Sequence, residues 1–363
     1  MINVLFIVPL SVNGGITSWA KTYLHTFNDS RYKLYPVDYA SQHRKPTDTL
    51  IIKRVFWGIV DLIVLRKKIK AILKSEKITI MHIATSGNIG SLRDIVIGHL
   101  CKKKCKIILH CHYGCITDDI NKNNIVSWLT MTALKMYDQI WVLDKKSCNT
   151  LNRISQLTNK VFLTPNPINI IYPKDLTQKN FNSIAFLGNL IPSKGIFELV
   201  EAVLRCDNIR LDLIGPGDSY VIDKIKEVAG NDLNDKIFLH GYMPHDKAME
   251  LIKGIDILAL PTYYSFEAFP ISILEAMSLT KLVISTDRAA IPDILTALDG
   301  SQCGIIVRER SIDDLVKAIK YCQKFPVEAN DICSKAYEKV KQAYSIDLVN
   351  KLYAANYGKL LNR

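Results

Sequence analysis

Apolar positions along this chain fall into two alternating patterns, short apolar runs and longer stretches in which apolar residues recur at helical spacing. Asn3 to Val8 (NVLFIV) is a run of the first kind. It passes through Pro9 to Asn13 into Gly14 and Gly15, and then into the helical pattern Trp19, Tyr23, Leu24, Phe27. Strand, glycine loop and helix in that order open a parallel α/β sheet and bring backbone N–H groups to its carboxyl edge, where ligands bind. A tight strand-to-helix turn uses glycine without any ligand as well. Further strands are predicted at Leu34 to Asp38, Ile78 to Ile83, Lys106 to Cys111, Gln139 to Leu143 and Val161 to Thr164. A polar loop through 41–48 and one long helical segment, 51–74, lie between the second and third strands. In that segment Val55, Phe56, Ile59, Leu62, Ile63, Ile69 and Leu73 mix with lysines and arginines, a pattern that suits an anionic membrane surface, with Phe56 and Trp57 as anchors, or an ordinary sheet-covering helix.

Pro165-Asn166-Pro167 stops regular structure, and a linker to about Asn182 leads into a second β/α series. Its strands are predicted at Ile184 to Leu187, Leu211 to Ile214, Ile237 to Leu239, Ile255 to Leu260, Leu282 to Ser285 and Ile305 to Val307. The pattern therefore predicts two Rossmann-like doubly wound α/β domains facing across a cleft, residues 1–175 and 176–344, with a closing helix, 345–363, crossing back to the first domain.

Two glutamates in the second series stand out. Glu267 and Glu275 flank Pro270, which suits the first position of a helix and leaves the N–H groups of Ile271, Ser272 and Ile273 without internal partners, an anion site. A carboxylate on a helix as apolar as this one is costly to bury unless hydroxyls or N–H groups solvate it. The plain alternative is that Glu267 caps a loop and Glu275 faces solvent. Lys194, beside the start of the helix Ile196 to Leu204, adds a full charge to the partial charge of a helix end and suits a phosphate.

At 363 residues, 48% hydrophobic and 23% charged, the chain is expected to be globular with two cores. Met1 to Leu10 reads as a first strand and not a leader, and no apolar run reaches membrane-span length, so a cytoplasmic protein is expected, peripheral at the inner face of the cell membrane. The formal charge is +12, and residues 1–175 hold 25 Lys/Arg against 11 Asp/Glu, so the basic excess belongs to the first half. That excess points to an anionic partner. No strand interleaves aromatic and basic residues as a nucleic-acid reader would, which favours a membrane surface. Nine cysteines read as free thiols, and the cluster Cys101, Cys105, His110, Cys111, His112, Cys115 lacks the CxxC spacing of a zinc site, so no metal is expected.

Gly188 to Gly195, the stretch Pro261 to Tyr264 followed by Glu267 to Met277, and Gly304 to Val307 together resemble the nucleotide-sugar domain of glycosyltransferase family 4, the retaining transferases with two Rossmann domains. The likeness is looser in the first half, where Gly14, Gly15 and His110 to Gly114 occupy the expected places. The resemblance implies a hexose-type sugar moved from a nucleoside diphosphate, UDP favoured, to a hydroxyl of a lipid-linked or polysaccharide acceptor, with no cofactor or metal. It implies that Glu267 contacts the donor sugar, Glu275 the ribose diol, and Lys194 with the N–H groups of Phe269 to Ser272 the diphosphate. Pro270 lies within that last group. The base would lie against Gly241, Tyr242 and Met243. His112 would meet the sugar, and Gly14 and Gly15 the phosphates.

Two positions depart from the family pattern. Asn189 stands where an arginine is usual, and Asp287 to Asp293 replaces a glycine-rich loop, which makes Arg288 a candidate for the lost charge; Asn166 is a further site candidate. Two rivals share these features: a nucleotide-sugar 2-epimerase or hydrolase of the same fold, and a non-catalytic basic protein that binds membrane or nucleic acid.

Overall fold

The computed structural model describes residues 1–12, 14–41, 51–170 and 180–362; the loop expected at 41–48 and the linker after Ile170 fall largely outside these. The chain divides into two compact units, Met1–Pro167 with Val349–Arg363, and Ile168–Leu348. The boundaries expected at 175/176 and 344/345 thus lie at 167/168 and 348/349. The first moves because Ile168 already pairs in parallel with Ser345 of the second unit, its N–H donating to the Tyr344 carbonyl at 2.8 Å.

The first unit runs β1 (Ile2–Val8), α1 (Gly15–Thr26), β2 (Tyr32–Asp38), α2 (Ile51–Ser75), β3 (Ile80–Thr85), α3 (Gly90–Cys101), β4 (Lys106–Cys111), α4 (Ile116–Asn121), α5 (Ile125–Met136), β5 (Gln139–Val142), α6 (Lys145–Asn152) and β6 (Val161–Leu163). The strands form one parallel sheet in the order β2-β1-β3-β4-β5-β6. Side chains alternate across it with period two. Leu5, Ile7, Met81, Ile83, Leu109, Cys111, Ile140 and Val142 turn to one face, where they join Leu65 and Ile69 of α2, Ile97 and Cys101 of α3, and Ala133 and Leu134 of α5 in a single core.

The second unit runs β7 (Ser183–Leu187), α7 (Ile196–Leu204), β8 (Arg210–Ile214), α8 (Ser219–Ala229), β9 (Ile237–Gly241), α9 (His245–Lys253), β10 (Ile257–Leu260), α10 (Ile271–Ser278), β11 (Leu282–Ser285), α11 (Ile291–Ile294), β12 (Ile305–Ile306), α12 (Ile312–Lys324) and α13 (Pro326–Ala343). Its strands are ordered β12-β11-β10-β7-β8-β9, so the direction of winding reverses between β7 and β10. In open parallel sheets the crevice at such a reversal is the ligand position.

A last helix, α14 (Ile346–Leu361), belongs to the first unit from Val349 onward. It buries Val349, Tyr353, Tyr357 and Leu360 at helical spacing. These meet the second face of the first sheet, where Phe6, His82, His110 and Trp141 point away from the aliphatic core. Tyr357 Oη lies 2.7 Å from His82 Nδ1 and 3.2 Å from Tyr23 Oη, Trp19 Nε1 donates to Tyr353 Oη at 3.2 Å, and Tyr353 Oη donates to the Pro165 carbonyl at 3.0 Å.

Candidate active site

The loops after β7, β8, β9 and β10 are drawn together at the carboxyl edge of the second sheet by backbone contacts that only glycine permits. Gly195, at φ +75°, lies so close to the loop after β10 that a Cβ would run into the Pro261 carbonyl, and Gly215 is similarly pressed against Gly188. Gly215 N–H donates to the Gly241 carbonyl at 2.9 Å, and Tyr263 N–H to the Ser193 carbonyl at 2.8 Å. Residues far apart in sequence therefore share one edge.

At this edge Lys194, which closes the short turn Pro192–Lys194, places Nζ 3.4 Å from Glu267 Oε2. Thr262 Oγ1 donates to the same oxygen at 3.3 Å. Glu267 is 8% exposed and Glu275 9%, so neither is a solvent-face glutamate. Burial of a carboxylate is tolerated where a cation and hydroxyl solvate it, as they do for Glu267.

Pro270 is the residue before α10 and not its first residue, with φ −68° and ψ 111°, because its ring keeps φ near the helical value while ψ stays extended. The correction moves the helix start by one. Ile273 N–H then finds the Pro270 carbonyl at 3.2 Å, which leaves Ile271 and Ser272, and not Ile273, as the N–H groups with no intrahelical acceptor. Phe269 is buried edge-on against Tyr344, with ring centroids 5.5 Å apart. Its side chain serves packing and leaves only its backbone for ligand.

Glu275 has a partner that sequence reading missed. His245, the first residue of α9, places Nε2 2.7 Å from Glu275 Oε1. That hydrogen bond, more than the attraction of Glu275 itself, raises the His245 pKa above the usual histidine value. The only sequence signal was its place, four residues after Gly241 at a helix start.

Of the remaining candidates in this unit, Gly241 ends β9 with φ +66°, Tyr242 is exposed and Met243 half-buried, and Asn189 is exposed. Arg288 does not supply a free cation for the missing arginine: its guanidinium is paired with Glu309 Oε1 at 2.5 Å. Glu309, just past β12, is too far along the chain for local reading to pair them. In the same loop Ala289 adopts φ +48°, a left-handed conformation that glycine takes without strain.

In the first unit, Gly14 and Gly15 stand at the start of α1 and neither is left-handed. A Cβ on either would meet no atom, so internal packing does not demand glycine there. Asn166 is buried between its prolines. His112 follows β4 and is buried, its ring 4.1 Å from both Trp19 and His110 by centroid. Burial lowers its pKa to about 3, so the ring is neutral at physiological pH, and its Nε2 has no hydrogen-bond partner. His110 faces the same side, with Nδ1 3.2 Å from His82 Nε2, whereas Cys111 packs in the aliphatic core. The sheet thus separates the members of the Cys/His cluster, and among the described residues no group of side chains could hold a metal ion.

Two parallel six-stranded sheets, the second with an acid–base cluster at its reversal point, define the GT-B class of glycosyltransferase fold. Residues 169–339 match the family described as "Glycosyl transferases group 1". Among curated relatives, an Arabidopsis thaliana protein that is one of the subunits of phosphatidylinositol N-acetylglucosaminyltransferase is 24% identical over 303 residues, 81% of this chain and 64% of its own length. The chain thus spans just under two thirds of that relative. Among solved structures, sucrose-phosphate synthase from Thermosynechococcus elongatus aligns over 100% of both chains with a TM-score of 0.79 at 14% identity. Anabaena Alr3699/HepE in complex with UDP and glucose aligns over 99% of this chain and 100% of its own, with a TM-score of 0.73 at 14% identity. Identities this low speak for the fold.

Proposed function

We propose that the protein is a retaining, metal-independent glycosyltransferase that moves a hexose from a nucleoside diphosphate sugar, UDP favoured, to a hydroxyl of a lipid-linked acceptor presented at an anionic membrane surface. The observation that carries this reading is the Lys194–Glu267 contact at the β7/β10 reversal. The family match over residues 169–339 and the UDP complex of the Anabaena protein support the donor class. The name of the Arabidopsis relative, which includes phosphatidylinositol, supports a lipid-borne acceptor.

In this mechanism the main burden is charge developing on the departing diphosphate. Lys194 and the N–H groups of Ile271 and Ser272 are fixed before the reaction, so they stabilise that charge without reorganising. Glu267 turns its carboxylate to the donor hydroxyls and holds the sugar. Glu275, steadied by His245, takes the ribose diol, and the base lies along Gly241 to Met243. His112 is a neutral ring with one uncommitted nitrogen, suited to a hydrogen bond with a sugar hydroxyl and not to proton abstraction. The leaving phosphate itself takes the acceptor proton, so no protein base is required.

The test is a thermal-shift screen of UDP-, GDP- and ADP-sugars, followed by product analysis with and without a chelator. A donor that binds the native state stabilises it in proportion to the logarithm of its concentration over Kd. No stabilisation by any of them would remove the donor reading. Rapid donor consumption without acceptor would instead favour an epimerase or hydrolase.

A further inference from the structure

Helix α2 satisfies the first core with Leu65 and Ile69, which are buried. Each helical residue is turned about 100° from the last, so positions 52, 55, 56, 59 and 63 continue into 66, 67, 70 and 74 along one ridge on the opposite, outward side. An ordinary sheet-covering helix would be polar along that whole ridge. Here Ile52, Val55, Phe56, Ile59 and Ile63 are all exposed, Phe56 by 57%. The second half of the same ridge is Arg66, Lys67, Lys70 and Lys74, all exposed.

Neighbouring helices extend the apolar part. In a parallel sheet each covering helix starts at the carboxyl edge and returns to the amino edge. The first turns of α3 and α5 therefore share the edge where α2 begins, and they expose Leu92, Ile125 and Trp128. Ile89, just before α3, is 73% exposed. Exposed apolar side chains in such number beside clustered positive charge are unfavourable in water and match an acyl boundary beneath anionic headgroups. No helix among the described residues is long and apolar enough to cross a membrane, so contact would be from one side.

We propose that the α2 ridge seats the first unit on an anionic bilayer, with Val55, Phe56, Ile59 and Ile63 entering the acyl boundary and the following arginine and lysines against the headgroups. The inference rests on the reading of a lipid-borne acceptor for its purpose, and its test requires no turnover.

The experiment is sedimentation of the full chain with phosphatidylcholine vesicles, with and without phosphatidylglycerol, at low and high salt. The native protein is expected to pellet with the anionic vesicles and to be released by salt. The variant Phe56→Ser/Ile59→Ser should lose vesicle affinity about tenfold or more at either lipid composition, and Lys67→Glu/Lys70→Glu should lose mainly the preference for anionic lipid. Both variants lie on exposed positions and should keep the native Tm and donor-induced shift. Native protein that stays in solution with every vesicle, or variants that bind as the native chain does, would overturn the proposal. A dimer dispersed by Phe56→Ser/Ile59→Ser, with no vesicle binding by the native chain, would assign the ridge to a second copy instead. Failure of donors to stabilise the native chain would sink the nucleotide-sugar reading alone and leave the vesicle result standing.

Discussion

The two units are built on the same plan, a six-stranded parallel sheet covered by helices, yet they treat polar groups in opposite ways. The first fills one face of its sheet with neutral rings: His82, His110 and His112 lie among Phe6, Trp19, Tyr23, Trp141, Tyr353 and Tyr357, and burial lowers all three imidazole pKa values. The second gathers ion pairs at its carboxyl edge, as Lys194 with Glu267, His245 with Glu275 and Arg288 with Glu309. Topology selects the edge at which ligands bind, but the side chains delivered to that edge decide whether it handles charge. A diphosphate needs the second kind of edge, and a sugar hydroxyl can use the first.

The largest expected effect would break this division directly. Lys194→Ala should lower kcat about 10²- to 10³-fold, the loss typical of removing one group that stabilises developing charge, and should also lower Tm, because buried Glu267 loses the cation that solvates it. Retention of most activity would mean that the charged edge does no chemistry. Glu267→Ala is expected to act chiefly on kcat, and Glu275→Ala chiefly on donor KM.

Acid should distinguish the units next. A buried histidine held neutral contributes its full stability above the ordinary value of 6.5. Below that pH the unfolded chain takes up protons that the folded one refuses, so stability falls by up to about 1.4 kcal/mol per pH unit for each of the three. Hydrogen exchange between pH 7 and 5 should therefore show β3 and β4 opening before β7 and β10. Equal loss in both sheets would contradict the contrast.

His245→Ala should raise donor KM about tenfold and leave kcat nearly unchanged. The His245–Glu275 pair is fully present below the ordinary histidine value and fades as the pH climbs through the raised one. Donor KM of the native protein should accordingly rise on the alkaline side, and the variant should flatten that dependence. The smallest effect is expected at Ala289→Gly, which relieves a left-handed φ and should stabilise the second unit by about 1 kcal/mol or less, measured by chemical denaturation.

How legible each part was in the sequence depended on the range of the forces that shape it. Strand limits such as Lys106–Cys111 and Leu282–Ser285, and the helix Ile196–Leu204, were readable to the residue because apolar runs and helical periodicity are local. The start of α10 was misread by one residue because proline is tolerated both at the helix-preceding position and at the first turn, and the choice rests on ψ, which sequence does not constrain.

By itself the sequence determined the alternation of strands and helices, and with it two parallel sheets and the group of residues at each carboxyl edge, since period and chain direction follow from local pattern. Only the tertiary structure decided the partners. It paired Arg288 with Glu309, and it set His245 on Glu275. It also joined Tyr357 to His82 and left Phe56 and Ile59 facing outward. Each of these depends on which residues distant in sequence the packed sheets bring within a few ångströms, and on which side of a helix is left uncovered, and neither is encoded in any local window.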